Sequence, residues 1–426
     1  MLNIEKIKEY SKSRFVQDLL TLASGTAIAQ LIPILASPLL TRIFSPADFG
    51  VLANFLSITS IIMVFYSGKF EFAIVLPKRH EEAINIVSLA IILSLASTIV
   101  FSLIFIFIGN SLGALLNFNN ITRWLWATPI SALLFNIFFI FNEWCIRKNN
   151  YLILSKNKIT NTTGIALNSL ILGFSKIDIG LIWGQLIGQL IAVFFAIKRF
   201  IKDDYSLIKF ISFKKIQYFS KRYLEFFKYY MPGQLINTIT GQLPILIFTM
   251  QFGIYKVGLY ALTDRVFGVT MSFIGNAIRD VFKQKAAKEF QEKGNCFNTF
   301  KKVSFFLFAI SLILFLFLFI ISPMLFSIAF GSEWAEAGFI ARILCIMYML
   351  AFISVPVSYA IIIAEKQKYE FIWQLTFLFF TLIPLLIGLK ANDFHLSLIL
   401  LAGGRSISYL FQFWLSYKVA QGIKNC

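Results

Sequence analysis

The sequence predicts an all-α integral membrane protein of about twelve transmembrane helices arranged as two sets of six, and three observations carry that prediction. Of the 39 Lys and Arg, 31 fall in every second gap between long apolar runs, five in the intervening gaps and three inside runs. Cytoplasmic loops carry such an excess, so the basic residues record how the chain is threaded through a membrane. The 426 residues are 58% hydrophobic, 17% aromatic and only 14% charged, with a mean hydropathy of +0.77, far from the balance of a soluble domain. A crossing takes roughly 20 apolar residues, so this length divides into about twelve such units joined by short connections.

In order, the expected spans are 18–41, 49–68, 83–109, 121–146, 159–174, 179–197, 229–252, 257–278, 303–329, 338–364, 369–389 and 394–417. The first follows a basic segment (Lys6, Lys8, Lys12, Arg14), as a signal peptide would, but it outruns a normal h-region and reads as a retained span. The fifth is diluted by Asn157, Asn161, Thr162, Thr163 and Asn168; without it the charge alternation would invert downstream. The basic side holds the N-terminal segment, 69–82, 147–158, 198–228, 279–302, 365–370 and the C-terminus, so both termini are expected to be cytoplasmic. The opposite side holds Arg42, Arg123, Lys176, Lys256 and Lys390. The largest cytoplasmic connection follows the sixth span, giving an N-terminal half over 1–200, a basic linker over 201–228 and a C-terminal half over 229–426. Within it, 206–230 alternates Lys and Arg with Phe, Tyr, Ile and Leu, which suits either a helix at an anionic inner leaflet or a plain linker.

The halves are related. A shift of 208 residues without gaps pairs Gly25 with Gly233, Leu35 with Leu243, Thr41 with Thr249, Phe44 with Phe252, Gly50 with Gly258 and Ala53 with Ala261. Each half opens its second span after a matching short turn, Phe44-Ser-Pro-Ala-Asp-Phe-Gly50 and Phe252-Gly-Ile-Tyr-Lys-Val-Gly258. Six spans per half make the repeats parallel, an architecture typical of transporters that rock one half against the other.

Composition also excludes. The formal charge of +18 lies at helix ends with no nucleic-acid reader motif, so no nucleic-acid partner is expected. Cys145, Cys296, Cys345 and Cys426 have neither metal nor redox spacing. His80 and His395 are the only histidines, too few for a His-rich metal site and poor support for a Ser-His-Asp triad. The outer gaps are short, with one acid in 43–48 and Glu333 and Glu336 in 330–337, and no Walker motif is present. Neither catalytic residues, a metal nor a cofactor is expected.

Polarity inside the spans is what stands out. Span seven reads Met231-Pro-Gly-Gln-Leu-Ile-Asn-Thr-Ile-Thr-Gly-Gln-Leu-Pro244; Pro232 and Pro244 free backbone carbonyls, which membrane helices tolerate only where protein or a wet cavity satisfies them. Span one is the milder copy, with Gly25, Gln30, Pro33 and Pro38. Both read as bent, cavity-lining helices, with small-residue helix packing as the plainer alternative. Asp264 and Arg265 sit about two turns into span eight, and intramembrane charges mark pathways or ion pairs. Being adjacent, they point about 100° apart. Arg265 is expected to contact an anion, because a guanidinium stays charged and grips phosphate bidentately; the alternative is a structural pair with another helix. Asp264 carries a coupling ion or positions Arg265. Arg405, after Gly403-Gly404, divides evenly between substrate contact and scaffold. Arg342 and Arg42 lie near outer ends, where snorkelling is the safer reading. Lys69 and Glu71 at the inner end of span two, and Glu143 near the inner end of span four, read as solvated ends or as lining of an inward-open mouth.

These residues resemble a known family. Leu22-Ala-Ser-Gly-Thr-Ala-Ile-Ala-Gln30, Leu40-Thr-Arg-Ile-Phe-Ser-Pro-Ala-Asp-Phe-Gly50 and Gly68-Lys-Phe-Glu-Phe-Ala-Ile-Val-Leu-Pro77 resemble the opening of Wzx-type O-antigen and capsule flippases, and Gly258-Leu-Tyr-Ala-Leu-Thr-Asp-Arg-Val266 looks like their second-half signature. The resemblance implies the multidrug/oligosaccharidyl-lipid/polysaccharide exporter fold, two six-helix lobes around a central cavity lined largely by spans one, two, seven and eight. It implies a multi-pass protein of the bacterial cytoplasmic membrane whose substrate is an undecaprenyl-diphosphate-linked oligosaccharide; the polar residues of the spans taken as its contacts are Arg265, Arg405, Gln30, Gln234, Asn237, Gln242 and Arg42. The implied partners are membrane lipids and polysaccharide polymerase and chain-length proteins, and Asp264 suggests H+ or Na+ as a coupling ion. Rival readings are a multidrug or small-molecule exporter of the same superfamily, a lipid II or teichoic-acid flippase, and a membrane polysaccharide polymerase or ligase. A cation pocket would carry more acids than the single Asp264 set against Arg265 and Arg405, and a polymerase or ligase would carry a large outer loop.

Overall fold

The computed structural model describes residues 14–115 and 122–422. Lys6, Lys8, Lys12 and Cys426 lie outside the described residues. Those described are helical, with no strand among them. Six helices open the chain: α1 Arg14–Ile43, α2 Pro46–Tyr66, α3 His80–Leu115, α4 Ala127–Arg147, α5 Tyr151–Phe174 and α6 Gly180–Asp204. A short helix, α7 Phe213–Arg222, precedes α8 Met231–Lys293, α9 Phe297–Phe330, α10 Ala335–Val357, α11 Gln367–Ala391 and α12 Phe394–Ala420.

Ten stretches among the described residues are long and apolar enough to cross a membrane, and two features turn ten into the expected twelve. One stretch, Phe226–Val269, has 44 residues, about twice what a bilayer needs at about 1.5 Å per residue. It bends at Gly253, whose φ of 80° breaks the helical run and separates expected spans seven and eight. The other is α5, 24 residues long but too polar to count. A helix therefore stands at the expected fifth span and begins earlier, at Tyr151, which puts Lys158 inside the helix rather than in a loop.

The polarity of α5 has a packing reason. A Cβ on Gly25 of α1 would lie 2.2 Å from the Ser155 Cβ, and one on Gly188 of α6 would lie 2.3 Å from the Ile165 backbone nitrogen. Small residues let these backbones approach, as membrane helices require in the absence of a hydrophobic driving force between them. Polar side chains then bond across the gaps. The Ser155 hydroxyl donates to the Thr21 carbonyl at 2.9 Å, Lys158 donates to the Thr26 hydroxyl at 3.1 Å, and the Asn157 amide donates to the Asn142 side chain at 3.2 Å.

Contacts divide the chain into an N-terminal lobe, Met1–Ile43 with Asn54–Thr238, and a C-terminal lobe, Phe44–Ala53 with Ile239–Cys426. The first turns of α2 thus pack with the C-terminal lobe. The two half-turns that the repeat pairs are built differently. In the first, Ser45 caps α2: its amide donates to the Asp48 carboxylate at 2.9 Å, and the Asp48 amide donates back to the Ser45 hydroxyl at 3.3 Å, a capping-box exchange. In the second, Gly253 takes a non-helical conformation between two helical runs. The paired glycines meet, because a Cβ on Gly258 would lie 1.7 Å from the Pro46 carbonyl oxygen and one on Gly50 would lie 2.1 Å from that of Ile254.

The basic connection packs on the N-terminal lobe. Ile216 and Phe219 of α7 join a cluster with Phe70, Ile74, Ile84, Val87, Ile140 and Trp144. Buried Asn85 ties the preceding turn to α3, donating to the Glu81 and Phe210 carbonyls at 2.8 and 3.3 Å and accepting from the Ser212 amide at 2.8 Å. Opposite the buried side, α7 exposes Lys214, Lys215, Tyr218, Lys221 and Arg222, spaced to share one helical face.

Gly258→Ala should destabilise the protein by about 1–3 kcal/mol, since the atom its Cβ meets is backbone and cannot turn aside. Gly268→Ala in the same helix, where a Cβ meets nothing within 4 Å, should be neutral or stabilising by up to about 1 kcal/mol. Thermal unfolding of the two purified variants in detergent checks both.

Candidate functional site

In the C-terminal lobe the polar residues of α8 separate by direction. Pro244 has no amide to offer the carbonyl four residues back, and that carbonyl, on Thr240, accepts a 3.0 Å hydrogen bond from Nη2 of Arg405. Arg405 of α12 is 6% exposed, donates from Nε to the Thr381 hydroxyl at 3.3 Å and lies 5.2 Å from the Phe377 ring centroid. Its contacts are scaffold contacts, and they answer the need that Pro244 creates.

Asp264 turns into the same lobe. The Tyr348 hydroxyl of α10 donates to its carboxylate, and Tyr348 stacks on Phe267 at 4.6 Å with the rings 17° apart. One residue earlier, the Thr263 hydroxyl donates to the Ala337 carbonyl at 3.0 Å. Tyr260, Tyr348 and Tyr409 all lie within electrostatic reach of both Asp264 and Arg405. Arg265, about 100° round the helix, is half-buried and has neither a hydrogen bond nor an ion pair with any described residue. The helix therefore commits its carboxylate to the lobe and leaves its guanidinium without a partner among the described residues. Gln242, also in this lobe, is half-buried.

The N-terminal lobe gathers a second polar cluster. Gly68 and Lys69 take φ of 58° and 64°, turning the chain after α2 into a 3-10 turn, Phe70–Val75. Lys69 and Glu71 are 7% and 1% exposed, so they form a buried pair, Nζ to Oε1 3.7 Å, rather than solvated ends. Burial lowers the Lys69 ammonium from its ordinary value, and the neighbouring Glu71 carboxylate opposes that shift. The Ser67 hydroxyl donates to Glu71; Asn136 of α4 donates to Ser67 at 3.3 Å and accepts from Ser94 of α3 at 2.8 Å. Half-buried Glu143 feels the charges of Glu71 and Lys158, and Tyr230 lies within reach of both acids. Gln234 donates to the Tyr230 hydroxyl at 3.4 Å. Of the other expected contacts, Gln30 is half-buried and Arg42 and Asn237 are exposed.

Comparison with known proteins places this arrangement. A family model described as polysaccharide biosynthesis protein matches residues 39–338, most of the chain. The chain belongs to the polysaccharide biosynthesis protein family. No curated protein matches it by sequence. Its fold is similar to that of the lipid II flippase MurJ, with a TM-score of 0.74 at 15% identity over 94% of this chain and 90% of that one. It is similar also to an inward-facing multidrug resistance MATE family transporter of the MOP superfamily, with a TM-score of 0.73 at 12% identity over 93% of this chain and 96% of that one. A MOP superfamily transporter from Pyrococcus furiosus has a TM-score of 0.63 at 11% identity, with 96% of each chain covered. This polysaccharide biosynthesis protein is thus a multi-pass, all-helical membrane protein with the two-lobed MOP fold, as the resemblance in its opening blocks implies.

Several residues of the family protein's clusters escape a reading of the sequence. Lys158 counts there as a loop cation, although its neighbour Asn157 and the polar run that follows mark a packed, polar span. Asn136, Ser67, Tyr230 and Tyr348 carry no local signal, because their roles come from partners far away in the chain.

Two predictions follow from these networks. Glu71→Gln leaves Lys69 buried without its carboxylate and should cost about 3–5 kcal/mol, most of it recovered in Lys69→Met/Glu71→Gln. Because the folded-state value of Lys69 lies below its unfolded one, unfolding takes up a proton near that value, so the deficit of the single variant should shrink as pH rises; melting curves at several pH values read this. Arg405→Lys should cost about 1–3 kcal/mol through the Thr240 carbonyl. In a Pro244→Ala background, which restores an amide for that carbonyl, it should cost about 1 kcal/mol less, measured as a double-mutant cycle.

Proposed function

We propose that this protein is a flippase that moves undecaprenyl-diphosphate-linked oligosaccharide repeat units from the cytoplasmic to the periplasmic face of the bacterial cytoplasmic membrane by alternating access, for O-antigen or capsule biosynthesis. Arg265 is the observation that carries the reading. A half-buried guanidinium with no acceptor among the described residues is costly in a membrane and suited to a diphosphate, which it can grip with parallel hydrogen bonds. Family membership supports a glycan-related substrate, and the fold suits transport rather than bond-making chemistry.

In this reading the C-terminal lobe supplies Arg265 to the diphosphate and Gln242 to the rest of the headgroup, with Arg405 holding the bent leg of α8 in place. The N-terminal lobe offers the amides of Gln30, Gln234 and Asn237 to sugar hydroxyls and Arg42 to an anionic group near the outer end. Glu143 is assigned to its inner mouth, within electrostatic reach of Glu71, while the buried Lys69–Glu71 pair holds the turn that follows α2. Shielding hydroxyls and phosphate while the prenyl tail stays in lipid avoids the cost of drawing unpaired polar groups through hydrocarbon. Asp264 is the carboxylate assigned to coupling with H+ or Na+, and both termini are cytoplasmic, on the side rich in Lys and Arg.

Deleting the gene in its host should abolish surface polysaccharide and accumulate completed lipid-linked repeat units on the cytoplasmic face. Wild type should restore the glycan, Arg265→Ala at equal abundance should restore it at a rate reduced at least about tenfold, and Arg265→Lys should fall between. Unchanged glycan and lipid pools in a host without a second flippase would overturn the proposal in favour of small-molecule export.

A further inference from the structure

The C-terminal lobe carries a groove of about 820 Å³ that the transport reading does not use. Its walls are Phe319 of α9, Phe339, Ile343 and Ile346 of α10, and Ile399 of α12. Phe339, Ile346 and Ile399 are 50%, 58% and 54% exposed, so the groove opens on the flank of spanning helices, where an apolar trough holds a hydrocarbon chain rather than water.

Its floor includes Gly403. A glycine inside a helix costs about 1 kcal/mol relative to alanine, and membrane helices commonly recover that through close packing. Gly404 does so, since a Cβ there would lie 2.0 Å from the Phe380 carbonyl oxygen. Gly403 does not: it is exposed, and a Cβ on it meets nothing within 4 Å. The lack of a side chain at 403 keeps the groove open.

One end is polar and charged. Glu336 and His395 line it in the first turns of α10 and α12, at the membrane face poor in Lys and Arg. The Glu336 carboxylate is taken by Lys256, with His395 Nε2 3.9 Å away. Arg342, also lining the groove, donates from Nε to the Phe319 carbonyl at 2.8 Å and from Nη2 to that of Ile320 at 2.9 Å, but has no ion pair with a carboxylate among the described residues. From Glu336 to Ile346 the groove follows α10 for about 15 Å at about 1.5 Å per residue, half of a hydrocarbon core of about 30 Å. It is the length of one leaflet, shorter than a long polyprenyl chain.

We propose that this groove binds one acyl chain of an anionic phospholipid of the leaflet on the Lys- and Arg-poor side, with the lipid phosphate held at Arg342. The site lies apart from Arg265 and does not depend on which substrate the protein moves.

The test uses the full-length protein, delipidated in detergent and titrated with phosphatidylglycerol, phosphatidylethanolamine or undecaprenyl phosphate, with bound lipids counted by native mass spectrometry. One phosphatidylglycerol per chain should bind, about fivefold more tightly than phosphatidylethanolamine for one uncompensated charge. Gly403→Leu should weaken binding at least tenfold without lowering the melting temperature, and Ile399→Trp, at an exposed position, fills the groove by a second route should the first variant fold poorly. Arg342→Gln should bring the two phospholipids within about twofold of each other. Wild-type binding by both groove-filled variants, equal affinity for the two phospholipids in the unmodified protein, or preference for undecaprenyl phosphate would each overturn the proposal. All of these readouts are independent of transport, so failure here leaves the flippase reading standing, and the converse holds.

Discussion

Every backbone carbonyl inside hydrocarbon must find a donor, and in the C-terminal lobe two arginines supply it at carbonyls that proline leaves without one. Pro244 frees the Thr240 carbonyl, and Arg405 reaches across from α12 to take it at 3.0 Å. Pro323 frees the Phe319 carbonyl, and Arg342 takes that at 2.8 Å. Pro384 frees the Phe380 carbonyl, where Gly404 lets the facing helix come close enough that a Cβ would lie 2.0 Å from the oxygen. Two of the three arginines inside spans are therefore explained by backbone satisfaction, a role that suits guanidinium because several donors on one planar group serve several acceptors at once.

The N-terminal lobe meets the same constraint with side-chain networks. Ser94, Asn136, Ser67, Glu71 and Lys69 form a chain of partners, buried at every member. It ties the turn after α2 to the interiors of α3 and α4, and such a network rigidifies when complete and is costly when broken. Next to it, α5 replaces apolar contact with close backbone approach and hydrogen bonds. These features lower hydropathy without lowering membrane compatibility, because their polar atoms face protein and not lipid.

That distinction separates what the sequence makes legible from what it hides. Charge sorting counts twelve crossings, including α5, which hydropathy alone misses, because loop charges are fixed by topology whatever the spans contain. The ungapped repeat finds Gly50 and Gly258, and they lie against each other because both sit where helices of the C-terminal lobe cross. Pro244 announces an unsatisfied carbonyl, yet nothing local shows that Arg405, far along the chain, answers it. Lys69 and Glu71 read as solvated because charged residues at a span's end usually are; the left-handed turn at Gly68 and Lys69 buries them instead. Asn85 is silent in the sequence for the same reason as Tyr348: its work lies in the residues it meets.

Arg265 is what remains once those needs are met. Its neighbour Asp264 could not neutralise it without leaving Tyr348, since adjacent side chains point about 100° apart. Stability alone would favour an apolar residue at 265, because an unpaired charge in a membrane costs at least roughly 2.5–3.5 kcal/mol even on the lenient insertion scales. Arg405 and Arg342 offset such a cost with backbone hydrogen bonds, whereas Arg265 has no such return among the described residues. A cationic side chain kept half-buried under those terms suits an anionic ligand, and that is the ground on which a diphosphate-linked substrate is proposed.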